Sequence, residues 1–164
     1  MIALLVFGTM ILEARRASAN ERAQRARGGI EPAGDVYQLM RLAYPGAFLA
    51  MLLEGAVRGE PSSSVFIAGA VLFAAAKALK WWAIHSLGPF WTFRIIVVPG
   101  AALVARGPYR WVRHPNYVGV MGELAGVALM TGAWLSGVAG IVTFGWLVLR
   151  RISVEEQALR DAAA

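Results

Sequence analysis

Three groups of residues in this 164-residue chain have the types and spacing that chemistry requires. The first is the segment from Gly88 to Tyr117, GPFWTFRIIVVPGAALVARGPYRWVRHPNY, which mixes aromatic, basic and turn-forming residues. The second is Glu123, which follows Asn116 by two helical turns and therefore shares its helix face. The third is Arg151 with Glu155, a pair at the i,i+4 spacing of a helix. Basic side chains and free amides can bind anions, and carboxylates can bind cations or accept protons.

The Gly88 to Tyr117 segment is too polar to span a membrane and too long for a simple connection in a small protein. We expect an extended piece over Phe93 to Val98, then turns at Pro99-Gly100 and Gly107-Pro108. The run His114-Pro115-Asn116 predicts the start of a helix, because proline fits the first helical turn. Free amides and the helix dipole at such an N-terminus favour negative charge, so a cofactor carboxylate could bind there.

The elements that must position these residues are membrane helices. The chain is 58% hydrophobic and 16% charged, and its mean hydropathy is +0.56, which is too apolar for an ordinary soluble domain. Since a span needs about 20 apolar residues, we predict an all-α integral membrane bundle of about five helices. The apolar stretches are Met1 to Leu12, Leu42 to Val57, Val65 to His85, Tyr117 to Met130 and Trp134 to Leu149. The last two form a tight helical hairpin.

The net charge of +6 reflects membrane topology rather than nucleic-acid binding. With the N-terminus outside and the C-terminus in the cytoplasm, fifteen of the sixteen basic residues lie on or near the cytoplasmic side, and Arg58 is the exception. A nucleic-acid partner would require a basic, aromatic face on a soluble module. The chain has no cysteine and two histidines, so neither disulfides nor a cysteine or histidine-rich metal site is expected.

Several ionisable residues interrupt the predicted helices. For Lys77 and Lys80, the simplest interpretation is that each side chain extends to the membrane interface. Glu123 is either a structural partner of a basic or amide group or a residue of the functional site. The polar stretch from Glu13 to Asp35 predicts a cytoplasmic helix ending at Gly28-Gly29, which serves as a solvated connector or contacts a ligand.

Four short motifs resemble one known family. They are Trp91-Thr92-Phe93-Arg94, Gly107-Pro108-Tyr109, the run from Arg113 to Gly119 (RHPNYVG), and Glu155-Glu156 after the apolar hairpin. In this spacing they resemble the isoprenylcysteine carboxyl methyltransferase family of integral membrane enzymes, and especially its bacterial members. The resemblance covers roughly Leu87 to Leu159, whereas the preceding part of the chain agrees in topology alone.

The resemblance implies a helical membrane fold that binds S-adenosylmethionine without a Rossmann domain. One methyltransferase domain would cover residues 1–164, with a three-helix part over 1–86 and a cofactor-binding part over 87–164. By position, Arg151 corresponds to a substrate-binding residue of the family. The residues that correspond to the family's cofactor site are Arg94, Leu103, Val104, Tyr109, His114, Pro115, Asn116, Tyr117 and Glu155.

The expected function is transfer of a methyl group to a carboxylate, phenol or enol oxygen of a lipophilic acceptor in the bacterial inner membrane. Arg151 would orient an acceptor carboxylate through paired hydrogen bonds. A phenol or enol would need a base, for which Glu123, Glu155 and His85 are candidates; Glu123 is our candidate catalytic residue besides Arg151. The acceptor and the bilayer are the expected partners, with no nucleic acid and no metal. The alternatives are a phospholipid N-methyltransferase and a non-catalytic membrane interaction protein that retains the fold.

Overall fold

The computed structural model describes residues 1–101 and 104–162, and the elements within those residues are helical. Two 3₁₀ turns, Gly88–Phe90 and Gly107–Arg110, lie in the segment between the third and fourth helices. The five helices are α1 (Ile2–Ala26), α2 (Tyr37–Arg58), α3 (Ser63–Leu87), α4 (Pro115–Thr131) and α5 (Trp134–Asp161). The predicted number of helices is confirmed, although α1 joins the first apolar stretch and the polar helix after it into one continuous element.

Local chemistry explains where the two C-terminal helices begin and end. His114 is the N-cap residue of α4, and Pro115 occupies its first turn, as the sequence predicts. Gly132 ends α4 with a φ of 63°, a left-handed conformation that glycine adopts without a steric penalty. Because α5 begins two residues later at Trp134, α4 and α5 form the tight hairpin expected from the sequence.

Glycines allow α3 and α4 to pack with their backbones close together. A Cβ atom added at Gly126 would lie 2.8 Å from the Phe73 backbone nitrogen, and one added at Gly119 would lie 3.0 Å from the Ala76 carbonyl oxygen. Small residues at helix contacts are typical of membrane proteins, where close backbone approach replaces the hydrophobic driving force. This approach fixes the register of α4, and with it the position of the residues at its N-terminus.

The surface of the bundle is largely apolar. Buried residues such as Phe48, Met51 and Leu124 form the core, whereas large side chains such as Leu53 and Leu135 are exposed. By length and composition, the helical stretches Ser63–Phe90 and Trp134–Asp161 could each cross a membrane. The exposed apolar faces suit a bilayer environment.

The second half of α1 and the connection to α2 hold the segment between α3 and α4 against the bundle. The Asn20 side-chain amide donates to the carbonyl oxygens of Gly88 at 3.0 Å and Trp91 at 2.7 Å. Ile30 and Val97 exchange two backbone hydrogen bonds of 2.8 and 2.9 Å, which form an isolated antiparallel bridge. Within residues 1–101 and 104–162 this bridge is the β pairing that the structure shows, and it involves the piece that the sequence predicts to be extended.

Candidate functional site

A cleft opens at one end of the bundle, beside the segment between α3 and α4. Its free volume is about 630 Å³ when the part open to solvent is included. Residues from three separate parts of the chain line it: the segment after α3, the start of α4 and the end of α5. The lining comprises Leu87, Phe90, Trp91, Thr92, Arg94, Ile95, Ile96, Val97, Tyr109, His114, Asn116, Tyr117, Arg151, Glu155 and Leu159.

A chain of hydrogen bonds crosses the floor of the cleft. The buried Arg151 guanidinium donates from Nη1 to Asp35 Oδ1 at 2.9 Å and from Nε to the Tyr117 hydroxyl oxygen at 2.8 Å. Its Nη2 atom donates to the Phe93 carbonyl oxygen. The Tyr117 hydroxyl in turn donates to Glu155 Oε2 at 3.0 Å. Charge-assisted hydrogen bonds of this kind fix orientation strongly, so these groups hold one another in place.

His114 and Asn116 complete the wall formed by the start of α4. The His114 ring stacks on Tyr117, with ring centroids 5.6 Å apart, and its Nε2 atom lies 3.3 Å from Glu156 Oε1. The Asn116 side-chain oxygen accepts a hydrogen bond of 3.2 Å from the Trp91 indole nitrogen. The contacts with Glu156 and Trp91 connect the N-terminus of α4 to the end of α5 and to the segment after α3.

Arg94 lies at the rim of the cleft, beside the connection between α1 and α2. Its Nη1 atom is 2.7 Å from Glu31 Oε1, and its guanidinium lies 4.8 Å from the centroid of the Tyr37 ring. Partial burial opposes ionisation of Glu31, but hydrogen bonds from Arg94 and Arg25 outweigh it and lower the pKa of Glu31 below its ordinary value. Burial, with a smaller contribution from Glu155, raises the pKa of Tyr109 above its ordinary value.

The structure brings most of the predicted site residues together. Pro115 is buried at the start of α4, and neither it nor Val104 is among the lining residues. Leu103 lies outside the described residues. The predicted residues that do line the cleft are Arg94, Tyr109, His114, Asn116, Tyr117, Arg151 and Glu155.

Glu123 lies instead in a buried cluster between the helices. Its carboxylate is 2.8 Å from Lys77 Nζ and 3.4 Å from Lys80 Nζ, and it accepts a hydrogen bond of 2.7 Å from the Tyr44 hydroxyl. Glu13 of α1 lies 3.1 Å from Lys77 and 2.7 Å from Lys80. The expectation that the two lysines extend to the interface is therefore wrong, because two buried carboxylates hold their ammonium groups inside the bundle. The structure gives Glu123 three polar neighbours, Lys77, Lys80 and Tyr44, and does not place it among the residues that line the cleft.

Sequence reasoning missed the contribution of the chain between α1 and α2. Asp35 and Glu31 bind the two arginines of the cleft, and the polar residues of α1 bind the backbone beside it. The sequence offers a weak signal for Asp35, which stands two residues before α2 and accepts a hydrogen bond from the Tyr37 amide. No local pattern indicates that the same carboxylate also binds Arg151 of α5.

Fold and site together define a helical protein with lipid-compatible faces and a polar, aromatic cleft at the end of its bundle. Residues 68–161 match the isoprenylcysteine carboxyl methyltransferase (ICMT) family. The chain therefore belongs to this family, which is a family of membrane methyltransferases, as the sequence motifs predict.

Two bacterial proteins are similar over most of the chain. The uncharacterized protein YpbQ of Bacillus subtilis is 30% identical over 145 residues, which cover 88% of this chain and 86% of that protein. An uncharacterized protein of Haemophilus influenzae is 26% identical over 141 residues, which cover 85% of this chain and 82% of that protein. No solved structure matches. These relatives support the family and leave the acceptor of the methyl group open.

Proposed function

We propose that the protein is an S-adenosylmethionine-dependent methyltransferase of the bacterial inner membrane that methylates an oxygen atom of a lipophilic acceptor. One observation carries the proposal. Seven residues that the family resemblance assigns to cofactor or substrate come from three parts of the chain and line a single cleft. Convergence of polar and aromatic residues from separate parts of a chain on one concave surface is typical of a ligand-binding site.

The chemistry of the lining suits S-adenosylmethionine. Aromatic rings such as Phe90, Trp91 and Tyr109 offer apolar faces for a purine and electron-rich faces for a sulfonium cation. Glu155 supplies a carboxylate near those rings for an ammonium group or ribose hydroxyls. No side chain caps the N-terminus of α4, whose dipole favours the carboxylate of an amino acid.

S-adenosylmethionine supplies a methyl group that its positive sulfur makes electrophilic, so the protein needs to align the acceptor, exclude water and accept a proton where the acceptor carries one. Tyr117, held between Arg151 and Glu155, presents a fixed hydroxyl to the cleft. Glu155, one-third exposed, is the lining carboxylate that can accept a proton from a phenol or enol.

The cleft also has an apolar side, which suits a lipophilic acceptor. Ile95, Ile96 and Val97 form part of its wall, together with Leu87 and Leu159. A long-chain acceptor that reaches this wall from the bilayer would leave its polar end near the cofactor residues. A membrane location brings such an acceptor to the enzyme without transfer through water.

The state of Arg151 bears on the chemical class of the acceptor. Its guanidinium already donates to Asp35, Tyr117 and the Phe93 carbonyl, so an acceptor carboxylate would have to compete with these groups. A phenol, an enol or a headgroup amine needs no such cation. For this reason phospholipid N-methylation stays the second candidate.

Cofactor binding is the first test. Isothermal titration of the purified protein in detergent with S-adenosylmethionine should show saturable binding near one molecule per chain. Glu155→Gln should weaken it, whereas Glu60→Gln, which makes the same charge change at an exposed residue outside the cleft, should leave it unchanged. Absence of binding to the wild-type protein would contradict the proposed function.

The acceptor is identified by incubating membranes that contain the protein with methyl-labelled cofactor. Label that alkali releases as methanol indicates a methyl ester, and label that stays on a phosphorus-free lipid indicates a phenol or enol ether. Label retained on an amine-containing phospholipid would replace O-methylation by N-methylation. Membranes that contain the Glu155→Gln variant provide the background.

A further inference from the structure

We propose that Asp35 is a positioning residue of the cleft, which acts through Arg151 to hold the Tyr117 hydroxyl where the cofactor binds. The proposal rests on the function proposed above. Asp35 lies on the connection between α1 and α2 and does not itself line the cleft. It therefore differs from the residues that the family motifs indicate.

The Asp35 carboxylate is buried, and both of its oxygen atoms accept hydrogen bonds. Its side chain is 4% exposed, and three donors from three parts of the chain point at it. Oδ1 accepts hydrogen bonds from the Tyr37 amide at 3.0 Å and from Arg151 Nη1 at 2.9 Å, and Oδ2 accepts one from the Ile95 amide at 3.0 Å. One carboxylate thus connects the start of α2, the cleft wall after α3 and the end of α5.

The negative charge of Asp35 has a specific function beside Arg151. The Arg151 side chain is 6% exposed, and among the described residues Asp35 is the carboxylate within ion-pair distance of its guanidinium. A buried guanidinium without a counter-charge is strongly unfavourable. With Nη1 bound to Asp35, the planar guanidinium directs Nε at the Tyr117 hydroxyl and Nη2 at the Phe93 carbonyl.

Asp35 lies outside the region that matches the family, residues 68–161. The family-matched part supplies Arg151, Tyr117 and Glu155, and the connection between α1 and α2 supplies the group that orients them. The cleft is therefore complete only when the N-terminal part of the chain is in place.

The test is Asp35→Asn, which keeps the size of the side chain and removes its charge. An asparagine has one oxygen and one NH₂ group, so it cannot accept from Tyr37, Arg151 and Ile95 at once. We expect the affinity for S-adenosylmethionine to fall about tenfold, which corresponds to the loss of one charge-assisted hydrogen bond. The stoichiometry of the titration should stay near one, because a purely structural defect would lower the fraction of competent protein instead.

Glu31→Gln is the matched control. Glu31 belongs to the same connection and binds a cleft arginine, Arg94, but it does not contact Arg151. We expect its effect on cofactor affinity to be at least threefold smaller than that of Asp35→Asn. Equal effects of the two variants, or a fall in stoichiometry at unchanged affinity, would overturn the proposal.

A double-mutant cycle tests the route of action. Tyr117→Phe removes the hydroxyl that Arg151 holds. If Asp35 acts through Arg151, Tyr117→Phe should weaken cofactor binding much less in the Asp35→Asn background than in the wild type. If Tyr117→Phe lowered the cofactor affinity by the same factor in both backgrounds, Asp35 would not act on Tyr117.

If the Asp35→Asn protein does not fold, a cycle of Arg151→Lys with Tyr117→Phe tests the step of the route that joins Arg151 to Tyr117. Lysine keeps the charge beside Asp35 but cannot donate to Tyr117 and Phe93 from one plane. The effect of Tyr117→Phe should again shrink in this background, and an undiminished effect would refute the proposal. Failure of the proposed function has a different signature, because the wild-type protein would then bind no S-adenosylmethionine.

Discussion

Four charged side chains meet inside the bundle, and replacing Glu123 by glutamine tests what they contribute. Glu13 and Glu123 balance Lys77 and Lys80, so the cluster is neutral when all four are ionised. Both carboxylates are 1% exposed, and the lysines are 14% and 3% exposed. Glu123→Gln preserves the shape of the side chain and leaves two lysines with one carboxylate.

The expected loss of stability is large. Glu123 contacts both lysines and accepts the Tyr44 hydroxyl hydrogen bond at 2.7 Å. Breaking a buried ion pair by removing one partner destabilises a protein by about 3–5 kcal/mol, because a charge stays buried without compensation. For a chain of this size, that loss corresponds to a fall in melting temperature of roughly 6–20 °C.

Restoring neutrality should recover much of this loss. Lys80→Met removes the less exposed ammonium group and keeps an unbranched apolar side chain of similar length. In the double variant Glu123→Gln with Lys80→Met, Glu13 and Lys77 still form an ion pair at 3.1 Å. We therefore expect the double variant to melt above the Glu123→Gln variant, although each single substitution is destabilising.

The assay is thermal unfolding in detergent, followed by the fluorescence of the six tryptophans. Exposed Glu60→Gln is the control for the change in net charge. The charge-balance argument would be refuted if the Glu123→Gln variant melted at the same temperature as the Glu60→Gln control. It would also be refuted if the melting temperature of the double variant fell by the sum of the two single-variant decreases. Once stability is restored, the double variant also tests the predicted catalytic role of Glu123, since methyl transfer should persist if the residue is structural and vanish if it is the base.

Three further predictions concern the rest of the chain. Hydrogen bonds from Arg94 lower the pKa of Glu31, so this carboxylate should stabilise the fold above its ordinary pKa of 4.5 and lose that effect as the pH falls below it. In the Glu31→Gln variant the melting temperature should therefore fall less steeply as the pH is lowered, and an unchanged fall would contradict the lowered pKa of Glu31. Glu54 accepts hydrogen bonds from two backbone amides at the start of α5, so Glu54→Gln should lower the melting temperature more than an exposed substitution does, and equal melting would argue against this capping role. Because the chain has no cysteine, single cysteines can test the predicted topology, with the N-terminus outside and the C-terminus in the cytoplasm. Ser62→Cys should react with a membrane-impermeant maleimide in intact cells, whereas Asp161→Cys should react only after permeabilisation; the reverse pattern would show the opposite orientation.

Much of the helical architecture was readable from local patterns. Apolar stretches predicted the five helices, and His114-Pro115 predicted a helix start that the structure confirms. The turn at Pro99-Gly100 is also present, with Gly100 at a φ of 73°. These features depend on residues within one or two turns of one another, where backbone sterics and hydrogen bonding dominate.

The lysines show why other features were not readable. A lysine near the end of an apolar helix extends to the interface unless a carboxylate is closer, and hydropathy does not record which helix is adjacent. Lys77 meets Glu13 across a sequence separation of 64 residues. That contact depends on side chains of α1 reaching those of α3, which no local rule predicts.

By itself the sequence determined that this is a helical membrane protein of the ICMT family, with its polar chemistry concentrated after α3 and at the end of α5. The tertiary structure alone decided that Asp35 holds Arg151 across 116 residues and that Glu123 belongs to a buried charge cluster rather than to the cleft lining. The physical reason is that side-chain type and spacing fix a helix and its faces, whereas the partner of a buried charge depends on which helices approach one another. In this chain, glycines determine part of that approach by letting α3 and α4 pack at backbone distance.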